Sequence, residues 1–587
     1  MSARYIAVAG HDCDAMRSAS QRAPGLTIAL DLPTLMLVCD PRTDRVDLGS
    51  ERGAIIGTLF DRQTGRPASR LAESQIDDCH HSGGAFLIDH YWGSYIAFLV
   101  DERGGVTIVR DPSGATACYV SCLGTAHVVT SDVRTCTSLG LVTGEIDWRG
   151  VAAHLLWPDR RTRRTCIEGV GELMPGFRLT VGERRPRADQ AWTPWHFTSS
   201  DRRIDDSREA AEVVRRAVAD TVGAWSDRYA RPLVSLSGGL DSSIVAACTT
   251  GAAAAVTLAT HEPLGDERQY ARAVADRQEL DLIEQQMSIE AIDPRRSHAA
   301  SLPRPVSRLF AQAFDRIWAE TVATTGASAL FHGGGGDNIF CYLTSSTPYL
   351  DAWLAGQPHD VRRAVLDSLS AMTQVSRWRI RRAALRKALV DRGRFHWRRN
   401  PRLLTRAAID RAGLPECHPW FETIPAATLP GKQAHVAGLV GIQNYLEAVV
   451  APQQAAVIAP LMSQPVIEAC LRVPTWLWCR AGMNRMVARD AFRDRLPAAV
   501  IDRRAKGSPG AFDARMVSTQ RGAIRAILND GHLAAKGLID LAAIDQALGT
   551  QGPLRGDGYL RVTALVDVEA WVQSWLGTPS FVGPGQS

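Results

Sequence analysis

What is missing narrows the field first. Twelve cysteines are scattered along 587 residues, yet no two form a Cys-x-x-Cys pair. The closest spacing, Cys118 to Cys122, falls in a β-like run with no second ligand pair. The cysteines therefore read as buried or free thiols of a protein in a reducing cytoplasm. Cys79-His80-His81 has ligand chemistry but no partner cluster nearby, so no metal site is expected there. No run of about 20 apolar residues occurs, which excludes a helical membrane span. The opening residues, Met1 to Tyr5, lack the apolar core of a signal peptide. Disorder is excluded by composition, with 45% hydrophobic and 22% charged residues. The length exceeds one ordinary core and fits about four average domains or two large ones.

The net charge of +5 is unevenly placed. Arg377 to Arg402 holds eleven Lys/Arg against one acid, Asp391, which leaves the rest of the chain near −5. The plain reading is a solvated, arginine-rich helical face. The functional reading is a patch for an acidic partner. Trp378, Phe395 and Trp397 interleave the basic residues, but no nucleic-acid module matches, so a nucleic acid is not expected as partner.

Short β-branched runs punctuated by Pro and Gly fill the first part of the chain. Val106 to Val109 leads through the turn Asp111-Pro112-Ser113-Gly114 to Ala117 to Val120, and Met174-Pro175-Gly176 turns into Phe177 to Val181. A polar stretch, Gly182 to Asp206, contains the boundary between a domain over 1–200 and one over 201–587. After it the pattern changes. Glu209 to Ala224 has helical spacing, and Leu233 to Leu236, Ala254 to Ala259 and Ala329 to Phe331 read as buried strands. Strands alternating with helices imply a parallel sheet covered on both faces. Beyond about residue 350 the pattern is mainly helical, without internal repeats.

The strand Leu233 to Leu236 runs into Ser237-Gly238-Gly239-Leu240-Asp241-Ser242 and then a helix. Glycines let the backbone approach an anion, and the unpaired N–H groups of a helix start attract negative charge. The lysine of the GxxxxGK[ST] loop is absent. Asp241 would repel phosphate unless a cation lies between them, and Mg²⁺ meets that need. Asp337, after four glycines at the end of another strand, is the second acid for the metal. Both loops fall at carboxyl ends of parallel strands, where ligands bind in open α/β sheets.

These residues resemble the pyrophosphatase-type ATP loop of the asparagine synthetase family. Trp92 to Phe98 with Arg110 to Gly114, and Gly169 to Leu179, are similar to that family's glutamine amidotransferase half. Asp266-Glu267, His332 to Phe340, Arg485 to Phe492, Leu496-Pro497 and Arg504 to Gly507 are similar to its second half. The resemblance implies an α+β amidotransferase-like sandwich joined to an α/β ATP-pyrophosphatase domain with a parallel sheet and many helices. Glutamine-using members carry a cysteine nucleophile directly after the initiator Met. Here Ser2 stands there, and a hydroxyl is a far weaker nucleophile than a thiolate, so glutamine hydrolysis is not expected.

The string Phe331 to Tyr342, with Gly334 where relatives carry an acid or a tyrosine, looks most like the lasso peptide cyclases. Leu461 to Val466 and Cys470 to Thr475 do as well. The resemblance implies a macrolactam synthetase using ATP and Mg²⁺ on a precursor core peptide. Its partners would be a leader-processing protease and a leader-binding protein, with docking as the remaining task of the amidotransferase-like half. Implied ATP contacts are Leu236, Ser237, Gly238, Gly239, Asp241, Ser242, Leu258, Gly335 and Gly336. Asp241 and Asp337 would hold the metal, and Lys506 would stabilise charge on phosphate and oxyanion. Asp266, Glu267, Arg485 and Arg489 are further phosphate or substrate candidates. An α-amine is already about one-tenth neutral at pH 7, so the base lost at Gly334 costs only about tenfold in reactive species. The alternatives are an asparagine synthetase using free ammonia, a small-molecule lactam synthetase, a tRNA-modifying enzyme with the same ATP loop, and a non-catalytic scaffold.

Overall fold

Nearly continuous runs of buried Val, Ile, Leu and aromatic residues build the first half. In a computed structural model, residues 3–10, 14–49, 51–182, 186–252, 254–261, 265–306, 308–449, 455–504, 510–549 and 558–577 are described. The strands of this half are β1 (Tyr5–Ala9), β2 (Thr27–Leu32), β3 (Leu35–Cys39), β4 (Arg45–Asp47), β5 (Gly53–Asp61) and β6 (Tyr91–Val100). They continue with β7 (Val106–Arg110), β8 (Tyr119–Leu123), β9 (Ala126–Thr130), β10 (Val170–Glu172), β11 (Phe177–Val181) and β12 (Arg187–Gln190). Two six-stranded sheets result, ordered β10-β8-β9-β1-β3-β2 and β12-β11-β7-β6-β5-β4. Their pairings are antiparallel. Tyr5 and Phe98, one from each sheet, meet edge to face at 5.8 Å, so the sheets share a core as a sandwich. The observed β8 starts at Tyr119, two residues later than the apolar run that signals it.

The second half is built on a parallel sheet of β13 (Pro232–Ser235), β14 (Ala254–Ala259), β15 (Leu282–Gln286), β16 (Ala329–His332) and β17 (Ala456–Ile458). Its order is β15-β14-β13-β16-β17. From β13 the chain moves outward to β14 on one side, and it later returns to place β16 on the other. That reversal opens a crevice at the carboxyl ends of β13 and β16. Helices account for most of the remainder, and none is long and apolar enough to cross a membrane among the described residues.

The two halves are joined through a buried charge cluster. Glu172, at the end of β10, is fully buried and accepts hydrogen bonds from Arg110 at 2.7 Å, from Arg161 at 2.7 Å and from Arg304. Arg304 precedes the helix Ala311–Thr325 of the second half, and Arg161 also bonds Glu447, the last residue of the helix Pro430–Glu447. Burial alone would raise the Glu172 carboxyl, but the Arg161, Arg304 and Arg110 charges outweigh it and hold it well below the usual carboxylate range. A depressed native pKa contributes stability that is fully present above the ordinary carboxylate pKa and is lost progressively as pH falls from there through the native value. Aromatic contacts add to the joint: Trp225 of the helix Ser207–Asp227 meets Phe60 of β5 edge to face at 4.8 Å.

Removing the Glu172 charge strands the buried guanidinium groups of Arg110 and Arg304 and leaves Arg161 with Glu447 alone. Glu172→Gln is expected to lower the unfolding free energy by roughly 3–5 kcal/mol, read from urea titration at pH 7. A change below about 1 kcal/mol would show that the cluster does not hold the halves together.

Candidate active site

The apolar run of β13 ends at Ser235, and the chain then turns at Gly238 with φ 71°, a left-handed conformation that suits glycine. The helix Leu240–Cys248 starts immediately after, so Asp241 and Ser242 sit in its first turn. Two serines tie the loop. The Ser237 and Ser242 hydroxyls lie 3.0 Å apart, and Ser242 Oγ accepts the Ser237 N–H at 3.2 Å. Ser237 Oγ accepts the Gly239 N–H at 3.3 Å. The loop is thus a preformed cradle of N–H and O–H groups at a helix N-terminus, the chemistry that receives an anion.

The glycine string after β16 packs directly on this loop. A Cβ at Gly336 would lie 2.3 Å from the Asp241 side chain, and one at Gly333 would lie 2.5 Å from the Ser242 nitrogen. Absence of side chains there is what lets Asp337 approach Asp241. Arg485 closes the pair: its Nη1 donates to both Asp241 oxygens at 2.9 and 2.8 Å and to Asp337 at 2.6 Å. Burial would lower the guanidinium pKa, but the two carboxylates more than offset this and raise it. Arg485 adopts φ 54°, uncommon for a residue with a side chain, where it makes these three charged contacts.

Where the metal was expected to join the acids, the structure therefore shows a guanidinium joining them. Both carboxylates reach one nitrogen, so both are within reach of one cation. No group of three His, Cys, Asp or Glu residues forms a metal cage among the described residues. Two converging carboxylates are the donor set of an ion that completes its shell with water and phosphate oxygens.

Beside this point lies an open cleft. Ser235, Ser237, Asp241 and Ser242 form one end. Phe310, Phe314 and Trp318, on and before the helix Ala311–Thr325, form an aromatic wall that also carries Asp315. Arg308 lies 3.6 Å over the Tyr445 ring at the mouth, and Ala448 follows from the end of the helix Pro430–Glu447. Gly334 and His332 line it from β16. The His332 ring, pushed down to about 4 by burial, is neutral, and its Nδ1 accepts the Gly334 N–H at 3.0 Å. A Cβ at Gly334 would lie 2.6 Å from that ring and 2.9 Å from Leu446.

The other sequence candidates are dispersed. Leu236 is fully buried in the core, with its N–H donated to Val256, and Ser235 rather than Leu236 faces the cleft. Leu258 pairs with Gln285 in the sheet and is not part of the cleft lining. Gly335, with φ 87°, packs against Met462. Asp266 binds Arg268 at 2.7 Å, and Glu267 binds Arg503 at 2.6 Å. Arg489 donates to backbone carbonyls of Asn484 and Ile501, so it braces the chain around Arg485. Lys506 and Ser2 lie outside the described residues.

In the basic stretch, the helix Arg377–Leu389 buries Ile380 and Ala384 and leaves Trp378 exposed. Phe395 and Trp397 pack with each other and with Phe421. Those two rings are spent on internal packing. Cys79 is buried, its thiol pushed up to about 12 by burial. Asp315, His298, Arg308 and Tyr445 were not singled out by sequence. Phe310, Phe314 and Trp318 repeat at helical spacing and read as a core stripe; the acid at 315 beside that stripe was the available signal.

The family described as asparagine synthase matches residues 213–576, more than half the chain. A stretch of 161 residues is 32% identical to carboxyethyl-arginine β-lactam-synthase of Streptomyces clavuligerus, covering 26% of this chain and 31% of that enzyme. The chain thus spans about a third of the length of this curated relative. Among solved structures, a glutamine phosphoribosylpyrophosphate amidotransferase from B. subtilis, complexed with ADP and GMP, overlaps at 10% identity and TM-score 0.19, over 48% of this chain and 65% of that one. An allosteric regulatory enzyme of purine biosynthesis overlaps at 9% identity and TM-score 0.21, over 48% and 80%. Overlaps that slight leave the sandwich to rest on its own strand order.

The interlocked loops have a steric test. Gly336→Ala is expected to destabilise the protein by about 1–3 kcal/mol, because the added methyl must displace Asp241. Gly522→Ala, in a helix where nothing lies within 4 Å of the new methyl, is expected to be neutral or stabilising. Equal melting shifts for the two variants would contradict the close approach.

Proposed function

The chain belongs to the asparagine synthase family, and on that premise we propose that it is an ATP-dependent ligase that closes a macrolactam in a ribosomal peptide, as a lasso peptide cyclase does. One observation carries the reading: Asp241 and Asp337, from two glycine loops, meet beside a serine-lined anion cradle at one end of an aromatic cleft.

The chemistry follows from what a carboxylate lacks. It is a poor electrophile at neutral pH and needs a leaving group. A side-chain carboxylate of the peptide attacks the α-phosphorus of ATP, pyrophosphate departs, and an acyl-adenylate forms. The peptide's own α-amine then attacks the acyl carbon, the ring closes and AMP leaves. Ser237, Ser242 and the N–H groups at the start of the helix Leu240–Cys248 receive the pyrophosphate charge. Arg485 adds a fixed positive charge beside them. The acid pair fits Mg²⁺, with Asp241 and Asp337 as its protein ligands. Bound there, the ion would screen the carboxylates from the phosphates and stabilise the departing charge. Lys506, carried over from the family pattern, would serve the same developing charge and the oxyanion.

A peptide fits the cleft better than aspartate does. Its walls of Phe310, Phe314 and Trp318 suit a partly apolar substrate. Gly334 leaves that wall without a side chain. The substrate brings its own amine, so no ammonia delivery is required. A precursor core peptide is the substrate in this reading, with a leader-processing protease and a leader-binding protein as partners. The second reading, lactam formation in a small molecule, is favoured by the identity to carboxyethyl-arginine β-lactam-synthase.

The decisive experiment incubates the protein with ATP, Mg²⁺ and linear core peptides. The expected product is the peptide minus one water, by mass, with one AMP. AMP formed with aspartate and ammonia, and none with peptide, would overturn the reading. Asp241→Asn and Asp337→Asn should each slow peptide-dependent ATP–pyrophosphate exchange by about a hundredfold or more. Gly334→Tyr should block the peptide while sparing ATP binding, since its ring must enter the cleft past His332 and Leu446.

A further inference from the structure

The lactam reading leaves one demand without an assigned residue. The attacking nitrogen must be held beside the adenylate, and it must shed a proton as it becomes an amide. The ground-state amine is partly neutral at pH 7, but that does not dispose of the proton lost after attack.

The cleft-lining side chains narrow the choice. Gly334 has none. His332 is neutral and its Nδ1 already accepts the Gly334 N–H, so the ring has no free lone pair to take a proton. The Tyr445 ring lies under Arg308 and its hydroxyl is directed to Asp159 at 3.5 Å. Asp241 is engaged by Arg485 at the phosphate end. Asp315 is the other carboxylate of the lining. It sits in the second turn of the helix Ala311–Thr325, only 7% exposed, flanked by Phe314 and Trp318. His298, on the preceding loop, places its Nδ1 2.7 Å from Asp315 Oδ2. A carboxylate–imidazole pair at hydrogen-bond distance is the usual arrangement of a group that takes a proton together with the group that orients it.

We propose that Asp315 is a catalytic residue that orients the attacking amine and accepts its proton, with His298 as its positioning residue. The assignment rests on the lactam reading above. The nitrogen lone pair forms the C–N bond to the acyl carbon, and the bond from that carbon to the phosphate oxygen breaks, with its electron pair leaving on AMP. The proton on nitrogen passes to an Asp315 oxygen. Adenylation needs none of this. The assignment therefore separates the two halves of the reaction: Asp241 and Asp337 serve the first, Asp315 the second.

The test uses the full-length protein, ATP, Mg²⁺ and a pooled set of synthetic peptides, each with a free α-amine and a single Asp or Glu side chain at varied spacing. Three rates are measured: peptide-dependent ATP–pyrophosphate exchange, ring closure by mass, and hydroxamate formation with added hydroxylamine. Asp315→Asn should leave exchange within about twofold of the parent and slow ring closure by about a hundredfold. Hydroxylamine, small and needing no orientation, should trap the activated acyl group in Asp315→Asn at the parent rate. His298→Gln should slow closure by about tenfold with exchange unchanged, and it serves should Asp315→Asn fold poorly. Exchange and closure falling in step, or closure within about twofold of the parent, would overturn the assignment alone. No peptide-dependent exchange in the parent would overturn the lactam reading and this assignment with it.

Discussion

Two carboxylates forced together at the ends of neighbouring strands are tolerable only with positive charge between them. That constraint organises the second half of the chain. The glycines at 333 and 336 remove the steric barrier to the approach, and the left-handed turn at Gly238 sets the serine loop beside it. Arg485 supplies the positive charge, and Arg489 braces the backbone that carries it through bonds to Asn484 and Ile501. The arrangement arises at the topological reversal of the sheet, where the ends of β13 and β16 diverge and leave room.

The cleft is not a property of the α/β half alone. The helix Pro430–Glu447 runs from its buried start to the cleft, where Tyr445 stands in the mouth. Two residues on, Glu447 enters the charge cluster through Arg161 and Tyr119, both from the sandwich half. Arg304, in the same cluster, precedes the aromatic wall by a few residues. Two of the cleft's walls are therefore tethered at Glu172, which belongs to β10. The Arg110 to Gly114 turn finds its physical explanation here: Arg110 bridges Glu172, the Leu173 carbonyl and the Gly114 carbonyl in one buried fork.

Strong local patterns carried the sequence reading furthest. The strand–SGGLDS–helix string and the four glycines before Asp337 each have a chemistry that few other contexts produce, and both loops stand at the expected sheet edge. Register was harder to read. A continuous apolar run such as Leu233 to Leu236 has no alternation to say which residue ends the strand, which closes at Ser235. Arg485 was visible only as one arginine among several, because nothing local marks a guanidinium that bridges residues 244 and 148 positions away. Asp315 and His298 are 17 residues apart and become a pair only through the fold. Glu172, in a plain Val-Gly-Glu-Leu stretch, gave no sign of its three partners. The basic stretch read as a helical face is helical only over Arg377–Leu389, and Phe395 and Trp397, which looked available from sequence, are packed against Phe421.

The counter-ions of Glu172 come from both sides of the joint. Deleting the sandwich would leave Arg304 and Glu447 without their mates and would open to solvent the chain segments that they anchor. The sandwich thereby serves as the keystone of a cleft that lies in the other half.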